Sequence, residues 1–256
     1  MEKTYLNRFF TRSNIINPQI NKDLVVHNYM LLKGYHRNEY FFKNTLFNKL
    51  VIGKYSFATT AAFEEVAIGK SKADFVLVNH SHGVVFEIKT DLDNLDRLYT
   101  QLEDYSTVFS ELYVVTSEKN YYPVYRAIKN FETVGIIVLT NGVNLSIRKE
   151  AINFDEYLDF NYLFKLLRRN EYEDIIKRHF SVLPDVPPVY YYKECLNLFK
   201  KFNIKVAQNE VMKKLRERKK LNQVKLVREL PMEIRWLMYS SKLNRDELEI
   251  IIRQYK

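Results

Sequence analysis

A chain of 256 residues, 46% hydrophobic and 28% charged, is long enough to bury a core without disulfide or metal staples, and disorder is excluded as its main state. With 40 Lys/Arg against 31 Asp/Glu the net charge is +9, which makes a polyanion such as nucleic acid the first partner to consider. Residues 1–150 hold 18 basic and 16 acidic side chains and residues 151–256 hold 22 and 15, so most of the excess sits in the C-terminal part.

From Ile20 to about Val51, Leu24, Val25, Tyr29, Leu31 and Leu32 recur at helical spacing, which predicts two helices around Gly34. From Ser56 to about Lys149 the texture becomes β-rich, with runs at 73–78, 84–89, 112–116, 134–140 and 143–149. The first two are joined by NHSHG, ending in Gly83, and the last two by Asn141-Gly142, a strong hairpin signal. Ahead of them, AAFEEVA reads as a short helical segment. Between the second and third runs, Leu95, Leu98, Leu102, Tyr105 and Phe109 mark an amphipathic helix with Asp93 placed as its N-cap. Another helix is expected over 122–128.

Beyond about Asn153 the pattern is helical throughout. One long helix ends at Phe180, before a corner built by Pro184, Pro187 and Pro188, and further helices are expected over 190–202, 206–230, 232–239 and 245–255. The reading is a mixed α/β sheet core flanked by helices, with an N-terminal helical segment (1–55), a core (56–150) and a basic, all-α C-terminal region (151–256).

Chemistry concentrates at the first hairpin. Asp74 heads one predicted strand, and Glu87-Ile88-Lys89 ends the next, with Glu87 and Lys89 on one face and Ile88 on the other. Two carboxylates converging with a lysine suit an oxygen-loving Mg²⁺ or Mn²⁺, with the Ile88 backbone carbonyl as a further ligand and Lys89 beside the attacking water. Glu64 and Glu65 lie close enough in sequence for one of them to reach the metal or its water. Arg97, Gln101 and Tyr105 form a polar stripe on the following helix that can face the site.

Asp74, then Glu87-x-Lys89 after a hairpin, then Gln101-x-x-x-Tyr105, resembles the PD-(D/E)XK, restriction-endonuclease-like nuclease superfamily, and EIKTDLDNLDRLYTQLEDY is most similar to its Sce-type bacterial family. The resemblance covers roughly residues 55–140 and departs from the motif at Ala73, where the superfamily name has proline. It implies a restriction-endonuclease-like core and Mg²⁺-dependent hydrolysis of DNA phosphodiester bonds. Asp74 and Glu87 would bind metal, Lys89 would serve the water, and Glu65 in preference to Glu64 would take the helix-borne acidic position. Phage defence, repair or a mobile element would all suit such an enzyme.

The run Lys213, Lys214, Arg216, Arg218, Lys219 and Lys220 places six cations in eight residues on a predicted helix, a phosphate-binding face for DNA or RNA. The rival expectation is a module that keeps the fold and docks nucleic acid or a partner protein without turnover; a homodimer, or assembly with a partner protein of a defence system, would suit either reading. Asp91, Asp93 and Asp96 read as loop and cap residues, and His80 and His82 as turn residues. Single Cys195 excludes an intramolecular disulfide and a Cys-rich zinc site, and no stretch approaches the roughly 18 to 20 apolar residues of a membrane span, so a cytoplasmic protein is expected.

Overall fold

Alternating and continuous apolar runs pair into one mixed sheet. The computed structural model describes residues 8–17, 19–35, 37–56, 59–219, 225–241 and 243–255. Its strands are β1 (Thr60–Phe63), β2 (Val66–Ile68), β3 (Ser71–Ala73), β4 (Phe75–Asn79), β5 (His82–Lys89), β6 (Glu111–Ser117), β7 (Gly135–Leu139) and β8 (Leu145–Lys149). Six of them form a sheet in the order β1-β4-β5-β6-β7-β8, while β2 and β3 form a separate ribbon. Neighbours β1, β4 and β5 are antiparallel, β5, β6 and β7 are parallel, and β8 returns antiparallel. Asn79 pairs with His82, so the β4–β5 hairpin closes in two residues, His80 and Ser81.

The helices are α1 (Arg12–Ile15), α2 (Lys22–Tyr35), α3 (Glu39–Leu46), α4 (Leu98–Ser106), α5 (Tyr121–Ala127), α6 (Phe160–Lys165), α7 (Arg169–Phe180), α8 (Pro188–Phe199), α9 (Ile204–Glu217), α10 (Arg235–Ser240) and α11 (Arg245–Tyr255). Parallel strands need crossovers, and α4 and α5 supply those from β5 to β6 and from β6 to β7. None of the described helices is long and apolar enough to cross a membrane.

Because strand side chains alternate, the sheet buries two different faces. Phe75, Leu77, Phe86, Ile88, Val115 and Ile137 face a core shared with α1, α2, α3, α10 and α11. Val76, Val78, Val85, Val114, Ile136 and Val138 face a second core built with α4 and α6 to α9. The C-terminal helices are therefore divided: residues 160–215 cover one face, and the chain then crosses to the other, where 227–255 join the N-terminal helices.

That crossing is held by a buried amide. The Asn44 side chain donates to the Tyr29 hydroxyl (2.8 Å) and the Met232 carbonyl (3.0 Å), and accepts from the Trp236 backbone N–H (3.0 Å). Asn48, one turn on, donates to the Asn44 carbonyl (2.9 Å), where α3 widens into a π-helix over Phe47–Lys54.

Three local expectations are corrected. AAFEEVA is not helical: Thr60–Phe63 is the edge strand β1, whose Ala62 N–H donates to the Tyr239 hydroxyl (2.9 Å), and Glu64 and Glu65 occupy the bend before β2. Tertiary pairing outweighs the helix propensity of Ala and Glu. The long helix ending at Phe180 is two, since Asp159 caps α6 and Glu171 closes a capping box on Arg168 at the start of α7. Asp93 does not cap α4; its carboxylate accepts from the Thr90 N–H (2.7 Å), and the helix begins later, at Leu98.

Replacing Asn44 with Ala takes a partner from the buried Tyr29 hydroxyl and Trp236 N–H, and leaves the Met232 carbonyl with Asn48. A loss of about 2 to 3 kcal/mol in urea unfolding is expected; a loss below about 0.5 kcal/mol contradicts the role of this contact.

Candidate functional site

Strand polarity gathers the acidic residues at one end of the sheet. β1 and β5 run one way and β4 the other, so Glu64 and Glu65 after β1, Asp74 before β4, and Glu87 to Lys89 at the end of β5 all arrive there. Pairing of β4 with β5 ends at Phe75 and Phe86, and beyond that point Asp74 takes the place of a strand partner: its Oδ2 accepts from the Ile88 N–H (2.8 Å). The N–H and C=O of a strand residue point to the same edge, so the Ile88 carbonyl also faces the Asp74 side.

Glu87 and Lys89 project together onto the α4 face. The Lys89 ammonium donates to Glu87 Oε1 (2.7 Å) and to Gln101 Oε1 (2.8 Å). The Tyr105 hydroxyl lies 2.8 Å from Glu87 Oε2 and 2.7 Å from the Lys72 carbonyl, both acceptors of its single proton. The Thr116 hydroxyl donates to the Lys89 carbonyl (2.7 Å), fixing the strand end to β6. The rotation of α4 is set by Asp104, which accepts from the Lys70 N–H (3.0 Å) and the Ser71 hydroxyl (2.6 Å). Gly69, at φ 60°, makes the turn beneath that carboxylate; a Cβ there would lie 2.2 Å from Asp104 Oδ1. Asp104 thus holds the β2–β3 ribbon while Gln101 and Tyr105 face the β5 end. Arg97, one residue before α4, is exposed and makes no ion pair among the described residues.

Burial raises the pKa of both carboxylates. Desolvation first, and then the Glu87 charge, push Asp74 up to about 8, although its bond from the Ile88 N–H pulls the other way. Glu87 is raised by burial, against the lowering effects of Lys89, Tyr105 and Gln101. The Tyr105 hydroxyl is driven well above its ordinary range, first by burial and then by Glu87, so it acts as a donor.

An acid borne by a helix does reach Asp74: it is Glu39, in the first turn of α3, which the sequence pattern did not single out. Carboxylate oxygens of Glu39, Glu65 and Asp74 lie within 4.8 Å of one another, an arrangement that could hold a cation. Lys43, one turn beyond Glu39, enters the same cluster. It is buried, with its ammonium 2.5 Å from Glu39, 3.5 Å from Glu65 and 3.7 Å from Glu64. Burial alone would lower its pKa, but Glu39, Glu64 and Asp74 outweigh it and the net shift is upward.

Much of the basic run is engaged inside the molecule. Lys213 pairs with Glu210 (3.2 Å), Lys214 with Asp174 and Glu217 (2.8 Å each), and Arg218 with Glu171 (2.5 Å), so α9 is bound to α7 by charges that the sequence shows only as a cationic stretch. Lys219 lies over the rings of Tyr239 (4.6 Å) and Phe63 (5.5 Å), and burial lowers its pKa. Arg216 is half-buried without an ion pair among the described residues, and Lys220 lies outside them.

Fold and site together define a mixed α/β protein whose six-stranded sheet carries a buried carboxylate–lysine network at one end. The sequence profile of the family described as bacteriophage P4 protein cII matches residues 33–244, most of the chain and every element that builds this site. The chain belongs to that phage P4 cII family. Comparisons with curated proteins and with solved structures give no significant match.

The Asp74 shift has a defined pH consequence. In metal-free solution the folded state keeps the Asp74 proton up to about 8, whereas an ordinary aspartate loses it near 3.8. The fold binds the extra proton between those values, so the contribution from Asp74 declines as pH rises through this window and is lost above it. Thermal melts in EDTA from pH 5 to 9 are expected to fall less steeply for Asp74→Asn than for the parent; identical slopes contradict the assignment.

Proposed function

We propose that this protein is a metal-dependent nuclease that hydrolyses phosphodiester bonds of DNA. The observation that carries the reading is the convergence of Asp74, Glu87 and Lys89 at one sheet end, with Gln101 and Tyr105 hydrogen-bonded to them from α4. Buried carboxylates that repel one another need a cation to be ionised together at neutral pH. The donors present are all hard oxygens, which fits Mg²⁺ or Mn²⁺. Asp74, Glu87 and the Ile88 carbonyl would hold the ion, with Glu65 or Glu39 as the additional acid. Bound there, such an ion supplies positive charge for a phosphoryl oxygen and acidifies a ligated water.

The side chains supply the rest. Lys89 has three donors, of which two are used by Glu87 and Gln101, leaving the third to orient the attacking water or a non-bridging phosphate oxygen. Tyr105 fixes the second oxygen of Glu87, so that the carboxylate presents one defined orientation. Likeness to the PD-(D/E)XK pattern supports the same assignment, and membership of a phage family favours the mobile-element setting over repair. Cys195, buried and without a disulfide, suits a reduced cytoplasm.

A second reading, a nucleic-acid-binding or partner-docking module without turnover, draws on Lys43. Its ammonium already gives the cluster of Glu39, Glu64 and Glu65 a cation from within the chain.

The direct test incubates the protein with plasmid, linear duplex, single-stranded DNA and RNA in Mg²⁺, Mn²⁺ or EDTA. Metal-dependent cleavage of DNA is expected, reduced at least about 100-fold by Glu87→Gln or Lys89→Met and less by Tyr105→Phe. No cleavage in either metal, or a Glu87→Gln variant as active as the parent, overturns the nuclease and leaves the docking module.

A further inference from the structure

We infer that the outer face of α5 is a stacking platform for a single-stranded polynucleotide that runs on from the Lys89 end of the sheet. This deepens the nuclease reading, and for the direction of the strand it rests on it.

The face is built from aromatic rings and uncommitted cations. Tyr122 and Tyr125 are 69% and 48% exposed. Half-buried Tyr121 supports both, with ring centroids 5.1 Å and 6.0 Å away. Residues 119–131 contain Lys119, Arg126 and Lys129 and no acidic residue. All three cations are exposed and make no ion pair among the described residues, in contrast to Lys213, Lys214 and Arg218. Exposed rings interleaved with free cations are what a polynucleotide requires: the bases stack on the rings, and the phosphates meet Lys and Arg. A duplex keeps its bases stacked inward and cannot use the rings, so the complementarity is to a single strand.

The platform begins beside the candidate site. The Asn120 amide donates to the carbonyl of Thr90 (3.1 Å), the residue after Lys89, and Asp91 is bonded to Ser117 at the end of β6. Between α2, Thr90 and the β6 end lies a cavity of about 350 Å³, within the range of small-ligand sites, whose lining carries Lys33, Arg37 and Lys119 together with Asp91 and Glu118. Glu118, the acid next to Lys119, is paired with Arg148 (2.9 Å). A strand crossing the sheet end therefore meets the carboxylates first, then this cavity, then the tyrosines and the cations beside them.

The test is fluorescence anisotropy of a labelled oligo(dT) and of a duplex of equal length, in EDTA, with the full chain. The parent is expected to prefer the single strand. Combined Tyr122→Ala and Tyr125→Ala substitutions are expected to weaken that binding at least about tenfold, with little change for the duplex. Tyr190→Ala, at an exposed tyrosine on α8, controls for non-specific aromatic effects and should leave affinity unchanged. Equal affinity of the double variant and the parent, or no single-strand binding by the parent, overturns the inference. The assay reads the surface without turnover: tyrosine-dependent binding in a protein that never cleaves DNA sustains the platform and removes the nuclease, while cleavage with tyrosine-independent binding does the opposite.

Discussion

Two carboxylates that repel one another, Glu87 buried and Asp74 partly buried, ionise together only with positive charge beside them, and the end of the sheet is arranged around that constraint. Asp74 closes the edge that β4 leaves open by accepting from the Ile88 N–H, and Glu87 is held between Lys89 and Tyr105. Each bond also fixes backbone: Asp74 continues the sheet where strand pairing stops, and Tyr105 reaches the Lys72 carbonyl in the ribbon leading to Asp74. The same groups that leave the carboxylates reluctant to ionise alone thus keep them in place, and in the proposed function they would hold a divalent ion there.

Support for that geometry comes from distant parts of the chain. Asp104 sets the rotation of α4, which decides that Gln101 and Tyr105 face β5. On the opposite face, Asn44 joins α3 to the segment around Met232 and Trp236, and Tyr239 from α10 satisfies the edge strand β1. The C-terminal helices therefore do structural work on both faces of the sheet, and the salt bridges between α7 and α9 employ much of their positive charge. Part of the run that reads as a cationic face in sequence is thereby engaged inside the fold, whereas Lys119, Arg126 and Lys129 beside the exposed tyrosines of α5 make no ion pair among the described residues.

How far the sequence reveals this follows from the range of each interaction. Period-2 alternation places Glu87 and Lys89 on one face and Ile88 on the other, and the four-residue spacing of Gln101 and Tyr105 puts them on one helix stripe; both are local properties. Asn141-Gly142 and the run from Arg245 to Tyr255 are likewise readable, because turn chemistry and helical period act over few residues. Glu39 and Lys43 carry no such mark, since they join Asp74 only through the packing of α3 on the sheet. AAFEEVA misleads because its intrinsic helix preference is overridden by pairing with β4, and the internal ion pairs of Lys214 and Arg218 are not legible in the basic run because their partners Asp174 and Glu171 lie in another helix.

The central claim is that Asp74 and Glu87 are held together for a divalent cation, and anomalous diffraction from crystals soaked in Mn²⁺ tests it most directly. A peak ligated by both carboxylates, with the Ile88 carbonyl beside it, is the expected result. A peak on Glu39 and Glu65 that leaves Asp74 and Glu87 untouched, or no peak at this end of the sheet, contradicts the account.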